Sequence, residues 1–145
     1  MPEDAFSQLG NSLTQALITG DFDLYRAVMA LPLRIVPRGA EAYVLTDDAA
    51  LERDFRLYVR SIKTAGVTDI FRKLDEVRPD GNGGQRVFCT VHILSRAHRI
   101  ADPFRSEMLL VPSGDGLRIA EIVSTTEHID WTLGRGSLGP GSGLI

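Results

Sequence analysis

The chain has 145 residues, 43% of them hydrophobic, with a formal net charge of −3 and a pI near 5.6. That length suits one domain with a single core, and the composition excludes a disordered chain. A mildly acidic balance supplies no field to draw a phosphate backbone, so nucleic acid is not an expected partner.

No run of about 18 apolar residues occurs, so no membrane-spanning helix is expected. The acidic start Met1-Pro2-Glu3-Asp4 has no apolar stretch behind it and does not read as a signal peptide. Cys89 is the single cysteine, which excludes an internal disulfide and fits a reducing compartment. Cytoplasm is the expected location.

In chain order, Asp4 caps a first predicted helix over 4–19, with Phe6, Leu9, Leu13 and Leu17 in one stripe at spacings of three and four. Gly20 ends it, and Asp21 caps a shorter helix that carries Phe22, Tyr25 and Met29 on one face. Pro32 is expected to terminate that helix, because the residue before a proline is pushed out of the helical region. Short strands follow over 33–37 and 42–45, joined near Gly39. Pro37 lacks a backbone donor and marks the first of them as an edge strand. Thr46 reads as the cap of a third helix, with Asp47 and Asp48 in its first turn. Leu51, Phe55, Tyr58 and Ile62 form its apolar stripe, and Gly66 closes it.

Beyond Gly66 the apolar period changes from helical to alternating. Strands are predicted over 67–78, 85–99, 104–111 and 117–127, separated by turn-rich segments at 79–84, 100–103 and 113–116. Short connections imply an antiparallel meander. Glycines crowd the stretch after Trp131, so residues 1–133 are expected to form one domain and 134–145 a flexible tail.

Register derived from the turns puts Cys89, Val91, Ile93, Ser95, Ser106, Met108, Leu110, Ile119, Glu121 and Val123 on one face, expected to meet the helices. The other face carries Phe88, Thr90, His92, Leu94, Arg96, Glu107, Leu109, Ala120, Ile122 and Ser124. Leucines beside an arginine on that outer face suggest a homodimer interface. The polar exceptions on the inner face, Glu121, Ser95 and Ser106, are candidate pocket residues. Glu121, desolvated between Ile119 and Val123, is the candidate proton shuttle; pairing with an arginine is the alternative. Tyr25 can donate to a ligand oxygen or serve as a core aromatic. Arg105 can clamp an anionic substrate or pair with Glu107 or Asp102. Cys89 reads as a small buried hydrophobe. His92 and His98 lie too far apart along one strand to share a metal, and no spacing resembles a metal site. No cofactor is expected.

Gly20-Asp21-Phe22, Leu31-Pro32-Leu33, Gly66-Val67-Thr68-Asp69 and Gly116-Leu117-Arg118-Ile119, set on this succession of helices and strands, resemble the nuclear transport factor 2-like (SnoaL-like) superfamily over residues 5–130. The resemblance implies an α+β, cone-shaped fold: three N-terminal helices packed on a strongly curved, mainly antiparallel sheet that wraps a hydrophobic pocket. It also implies dimerisation through the outer sheet face. Members include isomerases, cyclases and dehydratases of small hydrophobic substrates, as well as non-catalytic binding or dimerisation modules. The ketosteroid isomerase branch has an aspartate base after the second helix and a tyrosine in the first. Here Leu33, Arg34, Ile35 and Val36 follow the second helix, and the first helix has no tyrosine. No family catalytic residue therefore carries over. Two functions are expected: proton-transfer chemistry on a small hydrophobic ligand, with Glu121 as shuttle and Tyr25 or Arg105 steadying oxygen charge, or a module without catalysis.

Overall fold

A computed structural model describes residues 3–37, 40–100, 102–114 and 116–124. Helix α1 spans Glu3–Thr19 and α2 spans Phe22–Val28; β1 (Met29–Val36) and β2 (Tyr43–Leu45) precede α3 (Asp48–Ala65). Strands β3 (Asp69–Pro79), β4 (Gln85–Ser95), β5 (His98–Arg99), β6 (Phe104–Ser113) and β7 (Gly116–Ser124) follow. The expected end of the last strand at 125–127, His128 and the glycine-rich tail lie outside the described residues. No helix among the described residues is long and apolar enough to cross a membrane.

The helix signals work through their side chains. Asp21 accepts from the Leu24 amide and caps α2. The third cap is Asp47 rather than Thr46, its carboxylate accepting from the Ala50 amide at 2.8 Å. Gly66 ends α3 in the left-handed region (φ 71°), where a Cβ would be strained. Alpha-2 stops at Val28, earlier than Pro32 required, because the chain turns extended at Met29 and Pro32 sits inside β1 after a cis peptide bond.

The seven strands form one sheet in the order β2-β1-β7-β6-β4-β3, with β5 pairing β4. Beta-1 runs parallel to β7, with Arg34 opposite Glu121 and Ile35 opposite Ile122. The expected fold class needs correction here. The sheet is mixed, open and not strongly curved, and α3 follows two strands instead of preceding the sheet. Pro37 does not mark an edge, since β1 is flanked by β2 and β7 and ends one residue earlier. The β1–β7 pairing joins residues far apart in sequence, Arg34 and Glu121 being 87 positions apart, and a local pattern carries no trace of it.

Two irregularities set which side chains face the helices. Arg96 and Ala97 both have positive φ (51° and 71°), closing a two-residue hairpin between Ser95 and His98 where one continuous strand is expected. In β7, Leu110 pairs with Ile119 but Leu109 pairs with Glu121, so Ala120 is an extra residue, a β-bulge. Leu13, Leu17, Leu51, Phe55, Val87, Val91, Met108, Ile119 and Ile122 fill the core between helices and sheet.

Gly84 stands where the β3–β4 turn passes β6. A Cβ built there would lie 2.7 Å from the Leu110 carbonyl oxygen, which belongs to the backbone and cannot swing aside. Gly84→Ala is expected to lower stability by about 1–3 kcal/mol, the range of overpacking. Urea unfolding checks this; an unchanged midpoint would mean that the turn shifts freely.

Candidate active site

Helix α3 buries Leu51, Asp54, Phe55, Tyr58, Ser61 and Ile62. Spacings of three and four put Asp54 in the middle of that stripe, where it is only 3% exposed. Tyr43 enters from edge strand β2, its neighbour Val44 facing solvent. Its hydroxyl lies 3.3 and 3.4 Å from the two Asp54 carboxylate oxygens, donating to the carboxylate. Tyr58 sits one turn along α3. Its hydroxyl is close enough to steady the charged form of Asp54, yet it has no well-aligned hydrogen-bond partner. Tyr25 stacks from α2 on Phe55 with ring centroids 4.5 Å apart, and Phe22 backs Phe55 at 5.7 Å. These are the three tyrosines of the sequence, gathered around one carboxylate.

Burial pushes the Asp54 pKa up to about 7, with the Tyr43 and Tyr58 hydroxyls opposing the rise. Burial first, and the Asp54 charge second, raise the pKa of Tyr25, Tyr43 and Tyr58. At neutral pH the tyrosines are therefore O–H donors, while Asp54 divides between acid and carboxylate. Among the described residues Asp54 forms no ion pair. No group of three or more His, Cys, Asp or Glu among them is placed to hold a metal ion.

A second buried polar centre stands on β3. Ile70, Arg72 and Leu74 alternate, so Arg72 faces inward at 9% exposure. Its Nη1 donates to the Gly10 carbonyl at 3.2 Å and to Thr14 Oγ1 at 2.7 Å; Thr14 in turn donates to the Ile70 carbonyl. Nε and Nη2 are buried without partners, and burial pushes the guanidinium pKa down to about 10. Ser106 Oγ is likewise buried without a partner, on the residue paired with Cys89.

The sequence-derived candidates do not converge. Tyr25 joins Asp54, and Ser106 faces the interior. Ser95 lies at the far end of β4, lining a surface depression of about 500 Å³ with Ile18, Lys63 and Val67. Arg105 is half-exposed and approaches Asp75 at 3.6 Å. The expected inward placement of Glu121 is corrected: the bulge at Ala120 turns Glu121 and Val123 outward and Ile122 and Ser124 inward. Glu121 meets Arg34 at 2.8 Å and Arg86 at 2.9 Å, and Arg86 also binds Glu107. Burial alone would raise its pKa, but the two arginines outweigh it and hold the carboxyl below its usual range.

Asp54, Tyr43, Tyr58 and Arg72 are not among the sequence-derived candidates. Signals for Asp54 and Arg72 are nonetheless present, as a charge inside a helical apolar stripe and a charge in the inward phase of an alternating strand.

The architecture is that of the nuclear transport factor 2-like fold. An NTF2-like protein of unknown function from Shewanella oneidensis MR-1 superposes with a TM-score of 0.63 at 15% identity, covering 86% of this chain and 98% of that one. A protein from Shewanella frigidimarina NCIMB 400, provisionally named a ketosteroid isomerase, gives 0.63 at 16% identity, over 85% and 96% of the two chains. A provisionally named dehydratase of the NTF2-like family from Streptomyces avermitilis gives 0.59 at 16%, over 83% and 92%. No protein-family model and no curated protein matches the sequence.

Proposed function

We propose that the chain catalyses proton transfer on a small, mostly hydrophobic substrate, as an isomerase, cyclase or dehydratase, with Asp54 as the acid–base group. The observation that carries this reading is the buried Asp54 carboxylate, which forms no ion pair among the described residues and is ringed by tyrosine hydroxyls. A pKa near the working pH lets one group both take and return a proton. The Tyr58 hydroxyl, buried beside Asp54 without a well-aligned partner, is a donor that can turn to a substrate oxygen that gains charge as the proton leaves. Tyr43 keeps Asp54 oriented, and Tyr25 closes the site. In an isomerisation, Asp54 would take a proton from carbon beside a carbonyl, Tyr58 would steady the enolate oxygen, and Asp54 would return the proton at a second carbon. The provisional isomerase and dehydratase among the structural neighbours fit chemistry of this general kind.

The test is deuterium incorporation into a panel of small enolisable ketones in D2O. Loss of Asp54 as general base is expected to slow exchange about 10²–10⁴-fold in Asp54→Asn. Equal exchange by the variant would remove Asp54 from the chemistry.

A second reading, a non-catalytic ligand-binding or dimerisation module, draws on the tightness of the interior, where Phe55 is 0% and Tyr25 and Tyr58 are 1% exposed. It predicts no exchange with any ketone. Half-buried Leu94, Leu109 and Val123 on the outer sheet face support a homodimer under either reading.

A further inference from the structure

The turn that joins β4 to β5 is built against local preference. Arg96 and Ala97 stand at its two central positions with φ of 51° and 71°, the left-handed region that glycine or asparagine occupies at least cost. Both residues are exposed, so no core packing offsets that cost. The conformation is held from outside the turn: Ser95 pairs with His98, and the Arg96 amide donates to Thr68 Oγ1 at 2.7 Å. Strained backbone fixed in this way is a feature of binding sites, where it aims a side chain.

Arg96 lines a recess. A depression of about 500 Å³ opens between the C-terminal ends of α1 and α3, the entry to β3 and the end of β4. Ile18, Val59, Ile62 and Val67 form its apolar floor, Ile62 and Val67 being buried. Lys63 supplies a cation from α3, Arg96 a second from the turn, and Ser95 a hydroxyl. Among the described residues neither cation forms an ion pair, and no hydrogen bond uses the Ser95 hydroxyl. Lys63 alone would be explained by its place in the last turn of α3, where a cation meets the helix dipole. Arg96 has no such reason to be there. The recess is separate from the Asp54 cluster, Ile62 standing about 12 Å beyond Asp54 along the α3 axis.

We propose that this recess binds a phosphate monoester with an apolar body, the phosphate held between Lys63 and Arg96 with Ser95 donating to it, and the body lying on Ile18 and Val59. Two cations match the charge of a phosphate monoester near neutral pH, and its three terminal oxygens give each of the three donors an acceptor. A carboxylate brings one charge and two oxygens and leaves a cation unmatched. An anion without an apolar body leaves the floor in water. The site needs no chemistry at Asp54, so it stands or falls separately from the proton-transfer reading.

The experiment titrates the full chain with phenyl phosphate, benzoate and inorganic phosphate, following backbone amide shifts by NMR. Phenyl phosphate is expected to move the amides of Thr68, Ser95 and Arg96 and to bind at least about fivefold tighter than either comparison ligand. Arg96→Gly is expected to weaken that binding at least about fivefold. The same variant should raise the urea midpoint, because glycine takes up a φ of 51° without strain. A higher midpoint also shows that the weaker binding does not come from a damaged fold. Ala97→Gly relieves the same kind of strain and keeps the cation, so its midpoint should rise with affinity unchanged within about twofold. Lys63→Met should weaken binding as Arg96→Gly does. No shift at those three amides, equally tight binding of benzoate or inorganic phosphate, or undiminished affinity in Arg96→Gly would each overturn the site. A midpoint that fails to rise in Arg96→Gly would overturn the turn as strain held for binding, since Arg96 would then serve the fold itself.

Discussion

The stability of this protein is expected to fall as pH rises from about 4 to 7, and replacing Asp54 with Asn should flatten that slope. The folded Asp54 has a pKa of about 7 against an ordinary 3.8, so in this window the folded chain holds a proton that the unfolded chain has released. Unfolding then releases a proton, and raising the pH favours it. The stabilisation is fully present below the unfolded pKa and is lost as pH passes through the folded one. Across the window it amounts to about 2–4 kcal/mol. The groups facing Asp54, Tyr43 and Tyr58, do not titrate there, since burial raises both. Glu121 has the opposite sign: its lowered pKa contributes stability that is lost only on going acid, below the Asp54 window. Denaturant midpoints at pH 5, 6, 7 and 8 should therefore decline in the wild type and change little in Asp54→Asn, the variant being the more stable at pH 8. A flat wild-type profile, or the same slope in the variant, would show that Asp54 is not the perturbed group.

Phe55→Ala is expected to cost about 3–5 kcal/mol, more than the Gly84 substitution. Phe55 is fully buried on α3 and is the ring on which Tyr25 stacks and against which Phe22 packs. Its removal leaves a cavity and deprives Tyr25 of its seat beside the Asp54 cluster. Phe55→Leu keeps most of the volume and should cost clearly less. The measurement is the urea midpoint of both variants with unchanged m-value. A cost below about 1 kcal/mol for the alanine would mean that the helices collapse onto the gap. The same substitution also loosens the wall that excludes water from Asp54, so the declining pH profile should become shallower.

Both predictions depend on where α3 points its side chains, and that direction is legible in the residue spacing. Leu51, Phe55, Tyr58 and Ile62 define its buried face by spacing alone, and Asp54 falls between them on the same face. The glycine that ends the helix, the aspartate that caps α2 and the inward set Cys89, Val91, Ile93, Met108 and Leu110 also follow from local chemistry, because caps and alternation are properties of a few neighbouring residues.

Glu121 shows where local pattern stops being enough. Strict alternation from Ile119 points it inward, and one extra residue at Ala120 reverses every position after it. A bulge is decided by the partner strand, since Leu109 and Leu110 must both find ladder positions on β7, and β7 alone gives no sign of it. The hairpin at Arg96 and Ala97 is similar, with positive φ on two residues that do not favour it, held by pairing on either side. Neighbouring residues along the chain are thus sufficient for the helices, two of their caps, most of the inward face and the mixed α and β character. Long-range packing settles the parallel seating of β1 against β7, the exile of Glu121 to an arginine pair, and the meeting of Tyr25, Tyr43 and Tyr58 at Asp54. Those three tyrosines come from α2, β2 and α3, and only the packing of separate elements into one dry interior brings them around one carboxylate and raises its pKa.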